Sequence, residues 1–159
     1  MAKIILETFI NAPIERVFDL ARSIDLHKLS TKGTKEDAIA GRITGLINLN
    51  ETVTWRAKHF GIYQTLTVVV TQFERPNLFV DEMIKGAFAK LEHIHKFDQI
   101  GSGTKMTDFF EFASPLGILG RIAEALFLKA YMTRFLVRKN QELKFIAEGS
   151  RWKELITNR

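Results

Sequence analysis

The sequence predicts an α+β fold in which a curved antiparallel sheet of about six or seven strands wraps around a long C-terminal helix. Residues 37–112 consist mostly of segments in which apolar and polar side chains alternate, as in strands with one buried face. Residues 118–148 form a helical segment that is long and apolar enough to cover such a face. Two short helices are expected after the first strand.

The amino-terminal part predicts one strand followed by these two helices. Residues 3–10 are rich in β-forming side chains, and Pro13 suits the first turn of the helix that follows. Apolar side chains then recur at helical spacing in Ile14, Val17, Phe18 and Ala21. Ser23 is a suitable N-cap for the second helix, and residues 30–36 are expected to form an exposed loop.

The middle of the chain predicts strands that are joined by short turns. The strands with the best alternation or β-propensity are residues 53–60, 63–73, 78–84, 88–98 and 104–112. Residues 101–103, with the sequence Gly-Ser-Gly, predict a hairpin turn between the last two strands. These two strands are therefore expected to be antiparallel neighbours.

The C-terminal helix has two unlike halves. Up to residue 137 it is apolar on most faces, so we expect this half to be buried against the sheet. The second half is charged and is expected to project into solvent, and Gly149 is a suitable stop. The pattern predicts a single domain over residues 1–149, followed by a tail over residues 150–159.

Composition restricts the class of protein. The 159 residues include no cysteine, which excludes disulfides, thiol catalysis and cysteine-bound metals. No apolar run reaches the roughly 18 residues of a membrane span, and the first residues show no export signal, so a cytoplasmic location is expected. The net charge is +5, but the basic residues are spread along the chain. We therefore expect no nucleic-acid partner and leave weak contact with an anionic membrane open.

Two histidines on one predicted strand are the strongest candidates for functional residues. His93 and His95 lie two residues apart, so both point to the apolar face of that strand. The same alternation turns His59 and Asp108 towards the interior. Counting back from the hairpin turn sets residue 95 opposite residue 107 or 108, which brings Asp108 within reach of the pair.

The group formed by His59, His93, His95 and Asp108 has three interpretations. It can orient the polar end of a ligand or act as general acid and base. It can instead be a structural network whose members satisfy one another. The third interpretation, a zinc or iron site, requires His59 to lie near the pair. We expect neither a bound metal nor another cofactor.

The chain also resembles a known superfamily. The matching segments are residues 9–18, 53–61 (VTWRAKHFG), 79–82 (FVDE), 86–88, 93–97 (HIHKF), 103–104, 108 and 115–117. They resemble the helix-grip proteins known as START-like, SRPBCC or Bet v 1-like, and most of all bacterial members described as polyketide cyclase/dehydrase-like. The Trp-x-x-x-His and His-x-His-x-Phe segments together are the most specific part of this resemblance.

The resemblance implies an internal cavity for a small hydrophobic ligand. The expected ligand is a lipid, quinone, polyketide or aromatic metabolite, bound near the polar group. Two alternatives remain, namely a cyclase or dehydratase that uses the histidines as acid and base, and a membrane-peripheral or protein-interaction module. The residues assigned to the ligand site are Trp55, His59, Asp81, Met83, His93, His95, Phe97, Asp108, Phe110 and Phe112.

Overall fold

The computed structural model describes residues 1–156, in which seven strands form one antiparallel sheet. The strands are β1 (Ala2–Ile10), β2 (Asp37–Gly41), β3 (Thr52–His59), β4 (Ile62–Glu74), β5 (Leu78–Gly86), β6 (Lys90–Ile100) and β7 (Gly103–Ala113). Their order across the sheet is β1-β7-β6-β5-β4-β3-β2, so consecutive strands are neighbours and β1 pairs with the last strand. The predicted fold class is confirmed.

The helices cover this sheet. They are α1 (Ile14–Ala21), α2 (Ile24–Ser30), a short 3₁₀ turn (Lys32–Thr34), α3 (Gly117–Ala123), a π-helical turn (Glu124–Leu128), α4 (Lys129–Glu148) and α5 (Trp152–Ile156). The elements from α3 to α4 follow one another without a break, which gives the long C-terminal helix that the sequence predicts. None of the helices in residues 1–156 combines the length and apolar character needed to cross a bilayer.

A local cap fixes the start of α2, and packing of an aromatic side chain holds α1 against the sheet. The hydroxyl of Ser23 accepts a hydrogen bond from the backbone N–H of Leu26 at 3.2 Å, which caps α2 as expected. Phe18 of α1 is fully buried. Its ring makes edge-to-face contacts, with centroids 5.2–5.5 Å apart, to Phe73, Phe79 and Phe97. This aromatic cluster packs α1 against the sheet.

The pairing of β6 with β7 decides where the polar residues lie. His95 is directly opposite Asp108 and His93 is opposite Phe110, which confirms the register counted back from the hairpin turn. On the other side of β6, β5 places Asp81 opposite His93. Because alternate residues face the same side, three neighbouring strands present polar side chains to one region of the interior.

The burial of the long helix differs from the prediction at both ends, although Met132 and Leu136 of the predicted buried half are buried. Residues 116–127 expose most of their large apolar side chains, whereas α4 packs against the sheet. The buried residues of α4 are Met132, Leu136, Asn140, Leu143, Ile146 and Ala147. The prediction was wrong because composition gives the apolar character of a helix but not which part of it crosses the sheet.

The chain after Gly149 is also more ordered than a plain tail. Residues Trp152–Ile156 form α5, whose apolar side chains pack against the main core. The guanidinium of Arg16 lies 4.0 Å from the centroid of the Trp152 ring, which joins α5 to α1. The remaining part of the predicted tail, residues 157–159, lies outside the described residues.

Candidate functional site

A cavity of about 360 Å³ lies between the sheet and α4. Its walls are mostly apolar and include Val53, Trp55, Leu66, Leu91, Phe110, Met132 and Leu136. One group of polar residues also lines it, and we call this group the polar cluster: His27, Glu36, Asp81, His93, His95 and Lys139. The lining residues that are also exposed, such as Phe60, Pro115 and Phe127, mark the mouth.

His93, His95 and two carboxylates form a connected network beside the cavity. Nε2 of His93 lies 2.8 Å from Oδ1 of Asp108, and Nδ1 of His95 lies 3.2 Å from the same oxygen. Nε2 of His95 lies 3.0 Å from Oδ2 of Asp81. The centroids of the two imidazole rings are 3.7 Å apart. The sequence analysis placed Asp108 within reach of one of the two histidines, and in the structure it contacts both.

Asp108 is held from the helix side as well. The side-chain amide of Asn140, on α4, donates to Oδ2 of Asp108 at 2.6 Å and to the hydroxyl of Thr8 at 3.2 Å. Asp108 is almost completely buried and lies behind the histidines rather than in the cavity wall. Its role in this geometry is to position the two imidazoles.

The two nitrogens of His95 both face carboxylates, which favours the imidazolium. Burial is the largest influence on the pKa of His95 and lowers it, but the interactions with Asp108 and Asp81 together raise the pKa above its ordinary value. Burial would by itself raise the pKa of Asp108. The hydrogen bonds from His93 and His95 instead hold the pKa of that carboxyl well below its usual range.

His93, in contrast to His95, is neutral near pH 7. Burial, reinforced by the charge on His95, lowers the pKa of His93 to about 4. The ring is therefore neutral near pH 7, and Nε2–H donates to Asp108. Nδ1 is then an unprotonated acceptor, and it makes no hydrogen bond to the rest of the described chain.

His27, Glu36 and Lys139 belong to the polar cluster although no sequence pattern marked them. The His27 ring stacks on Trp55 at a centroid distance of 3.9 Å, and its Nε2 lies 3.1 Å from Oε1 of Glu36. The other oxygen of Glu36, Oε2, is buried and has no hydrogen-bond partner within residues 1–156. Lys139 makes no hydrogen bond or ion pair with that part of the chain, yet its charge lowers the pKa of His27, after the larger effect of burial.

His59 is separate from the network to which the sequence analysis assigned it. It lies on β3, and β4 and β5 intervene between that strand and β6. Its Nδ1 lies 2.7 Å from the hydroxyl of Tyr131 on α4. Burial lowers the pKa of His59. The residue still lines the cavity, near the mouth.

The other assigned residues divide between cavity wall and core. Trp55, Asp81 and Phe110 line the cavity. Met83, Phe97 and Phe112 do not, because they pack into the two hydrophobic clusters on either side of it. Alternation places a side chain on the inner face, but it does not say whether that part of the face borders a void.

A metal ion could find ligands in this region. Asp81, His93 and His95 each offer one ligand atom, and these atoms lie within 4.8 Å of one another. Two histidines and a carboxylate are a ligand set that iron and zinc use. A metal at this point must displace the hydrogen bond between His95 and Asp81, and His59 is not part of the group.

Comparisons with solved structures identify proteins of the same architecture. A START superfamily protein from Mycobacterium smegmatis is 12% identical with a TM-score of 0.69, over 92% of this chain and 97% of that one. The aromatase/cyclase Zhui from a Streptomyces species is 12% identical with a TM-score of 0.74, over 92% and 93%. A major latex-like protein from Panax ginseng is 13% identical with a TM-score of 0.68, over 93% and 98%. No protein-family model and no curated protein matches the sequence.

Proposed function

Since the chain has the helix-grip fold of START-like and Bet v 1-like proteins, we propose that its cavity binds a small, largely apolar ligand. The ligand class is a lipid, quinone, polyketide or aromatic metabolite that carries a polar group at one end. The cavity volume of about 360 Å³ falls in the usual range for small-molecule sites. The absence of cysteine agrees with action in the cytoplasm.

The observation that carries this proposal is the buried, unsatisfied oxygen of Glu36, which belongs to the polar cluster beside the cavity. A buried carboxylate oxygen without a partner costs free energy of about 1–3 kcal/mol or more, so it marks a place where another molecule can donate a hydrogen bond. Lys139 adds an ammonium group without a hydrogen-bond partner in residues 1–156. Glu36 and Lys139 therefore leave one hydrogen-bond acceptor and one donor in the polar cluster without a partner in the described part of the chain.

These two groups narrow the chemistry of the ligand. Glu36 requires a hydroxyl or amine hydrogen, and Lys139 requires a carbonyl, phenolate or carboxylate oxygen. The aromatic walls formed by Trp55 and Phe110 suit a flat apolar body. A ligand that combines a hydroxyl group with a carbonyl or anionic oxygen on an aromatic frame satisfies all four residues.

The protonation of the network favours binding over acid–base catalysis. His95 directs both of its nitrogens at carboxylates, so it has no N–H left to donate to a substrate. His93 has a pKa of about 4, which makes it a weak general base near neutral pH. As a neutral acceptor beside the cavity, however, His93 is well suited to fix the orientation of a bound hydroxyl group.

A fluorescence titration tests the proposal. The probe is anilinonaphthalene sulfonate, which joins an apolar aromatic body to an anion. We expect saturable binding to the wild-type protein and displacement by members of a panel of fatty acids, quinones and hydroxylated aromatic ketones. Lys139→Met keeps the apolar stem but removes the charge. It should weaken probe binding about tenfold, as the loss of one charge-assisted hydrogen bond predicts.

The matched control is Lys32→Met, which removes an exposed lysine charge from the 3₁₀ turn outside the cavity. This variant should bind the probe as tightly as the wild type. Equal weakening in both variants would mean that the probe senses only net charge. Failure of the probe and of every panel member to bind saturably would contradict the proposed function.

A further inference from the structure

We propose that the surface around the cavity mouth docks on a membrane that contains anionic phospholipids. The first observation is the apolar character of residues 116–127. Leu116, Ile118, Leu119 and Leu126 are 79%, 76%, 72% and 74% exposed, and no part of residues 1–156 covers them. Four such side chains in one helical segment form an apolar patch of the kind that marks an interaction site.

The β3–β4 turn extends this patch. Phe60 is exposed at the turn, and its ring centroid lies 4.7 Å from that of Tyr131 and 6.2 Å from that of Phe127. Ile62 follows at the start of β4 and is also exposed. We call the combined set the mouth surface: Phe60, Ile62, Leu116, Ile118, Leu119, Leu126 and Phe127.

Charge identifies the partner of the mouth surface. The segments 56–64, 85–90 and 115–130 all contribute residues to the cavity lining. They contain six basic side chains, all exposed: Arg56, Lys58, Lys85, Lys90, Arg121 and Lys129. Their one acidic residue, Glu124, is buried, and its carboxylate contacts the amino group of Met1 at 3.5 Å and the backbone N–H of Ser114.

An apolar patch whose chain segments carry six exposed cations and no exposed acid fits an anionic lipid surface. The apolar side chains can enter the headgroup boundary while the lysines and arginines meet phosphate groups. A second copy of the chain fits poorly, because a symmetric contact would set the same six cations against each other. Docking in this way turns the mouth of the cavity towards the bilayer, and it does not require the cavity to be occupied.

Vesicle flotation tests the docking. The vesicles are pure phosphatidylcholine or an equal mixture of phosphatidylcholine and phosphatidylglycerol. The wild-type protein should float with the mixed vesicles, less with the neutral ones, and less at high salt. Leu119→Glu and, as a second variant, Leu126→Glu should each reduce the bound fraction roughly fivefold or more. Both changes lie on exposed positions, so the thermal unfolding temperature should not change.

The matched control is Phe145→Glu. Phe145 is also exposed on the long helix, but it lies about 27 Å along that helix from Phe127. This variant should bind vesicles as the wild type does. The proposal is overturned if the wild type does not bind mixed vesicles, or if Phe145→Glu and Leu119→Glu reduce binding equally. A dimer in sedimentation that Leu119→Glu dissociates, without vesicle binding, would make a second copy the partner instead.

Discussion

His95 lies directly opposite Asp108 in the β6–β7 pair, and its Nδ1 approaches Oδ1 of that carboxylate to 3.2 Å. Because Nε2 of the same ring faces Asp81 at 3.0 Å, the imidazole is held between two carboxylates. Both nitrogens must carry hydrogen for both contacts to be favourable. The arrangement is an ion network in which His95 is the cation shared by Asp108 and Asp81.

The first prediction concerns the stability of this network. His95→Gln keeps some hydrogen-bonding capacity but removes the charge, so the buried Asp108 and the partly buried Asp81 are left without their cation. We expect the free energy of unfolding in urea to fall by about 3–5 kcal/mol. His59→Gln is the comparison, because the contact of His59 with Tyr131 is only partly buried. That variant should lose about 1 kcal/mol.

The His95→Gln variant also separates the two roles of the network. If the histidines position a ligand, probe affinity of the folded variant should fall as well as stability. If stability falls while the affinity of the folded fraction is unchanged, the network is structural and plays no part in binding. A change in unfolding free energy below about 1 kcal/mol would contradict the ion network itself.

The second prediction is a stability optimum near the ordinary pKa of histidine. The pKa of His93 is lowered from 6.5 to about 4, so the unfolded chain binds more protons between these values and stability rises with pH across that window. The shift corresponds to about 3 kcal/mol. His95 has a raised pKa, so its contribution is complete below 6.5 and is lost as pH rises through the raised value.

Two measurements check this pH dependence. Urea unfolding at a series of pH values should show stability that rises from pH 4 to about 6.5. His27 and His59 also have pKa values lowered by burial and add to the slope with the same sign. NMR titration of the imidazole protons should then show a pKa for His93 well below its ordinary value of 6.5, at about 4. An ordinary pKa for His93 would be incompatible with its burial beside a charged His95.

The third prediction concerns the turn that leads into α3. A Cβ atom on Gly120 would lie 2.1 Å from the carbonyl oxygen of Pro115, so the backbone must shift to accept any side chain. Gly120→Ala should therefore lower the free energy of unfolding by about 1–3 kcal/mol. Gly33→Ala is the control, since no atom lies within 4 Å of its added Cβ, and it should be neutral. Calorimetric unfolding of Gly120→Ala and Gly33→Ala measures the two changes in stability.

The sequence was informative where the pattern is short-range and regular. Alternation along residues 88–98, together with the hairpin turn, is enough to place His93, His95 and Asp108 close together. It could not place Glu36 or Lys139, because a loop residue and a helix residue reach the cavity only through tertiary packing. Nor could it show that the apolar start of the long helix is exposed, since nothing local determines what covers a helix face.

NMR mapping of the bound probe tests the central claim most directly. Isotope-labelled protein is titrated with anilinonaphthalene sulfonate, and the amide signals that move are assigned. Binding in the cavity predicts shifts at inward-facing residues of the sheet, such as Trp55, Leu91 and Phe110, which saturate together at one affinity. Shifts confined to the exposed residues of α3, or no saturable shift at all, would contradict the proposal that this cavity is a ligand-binding site.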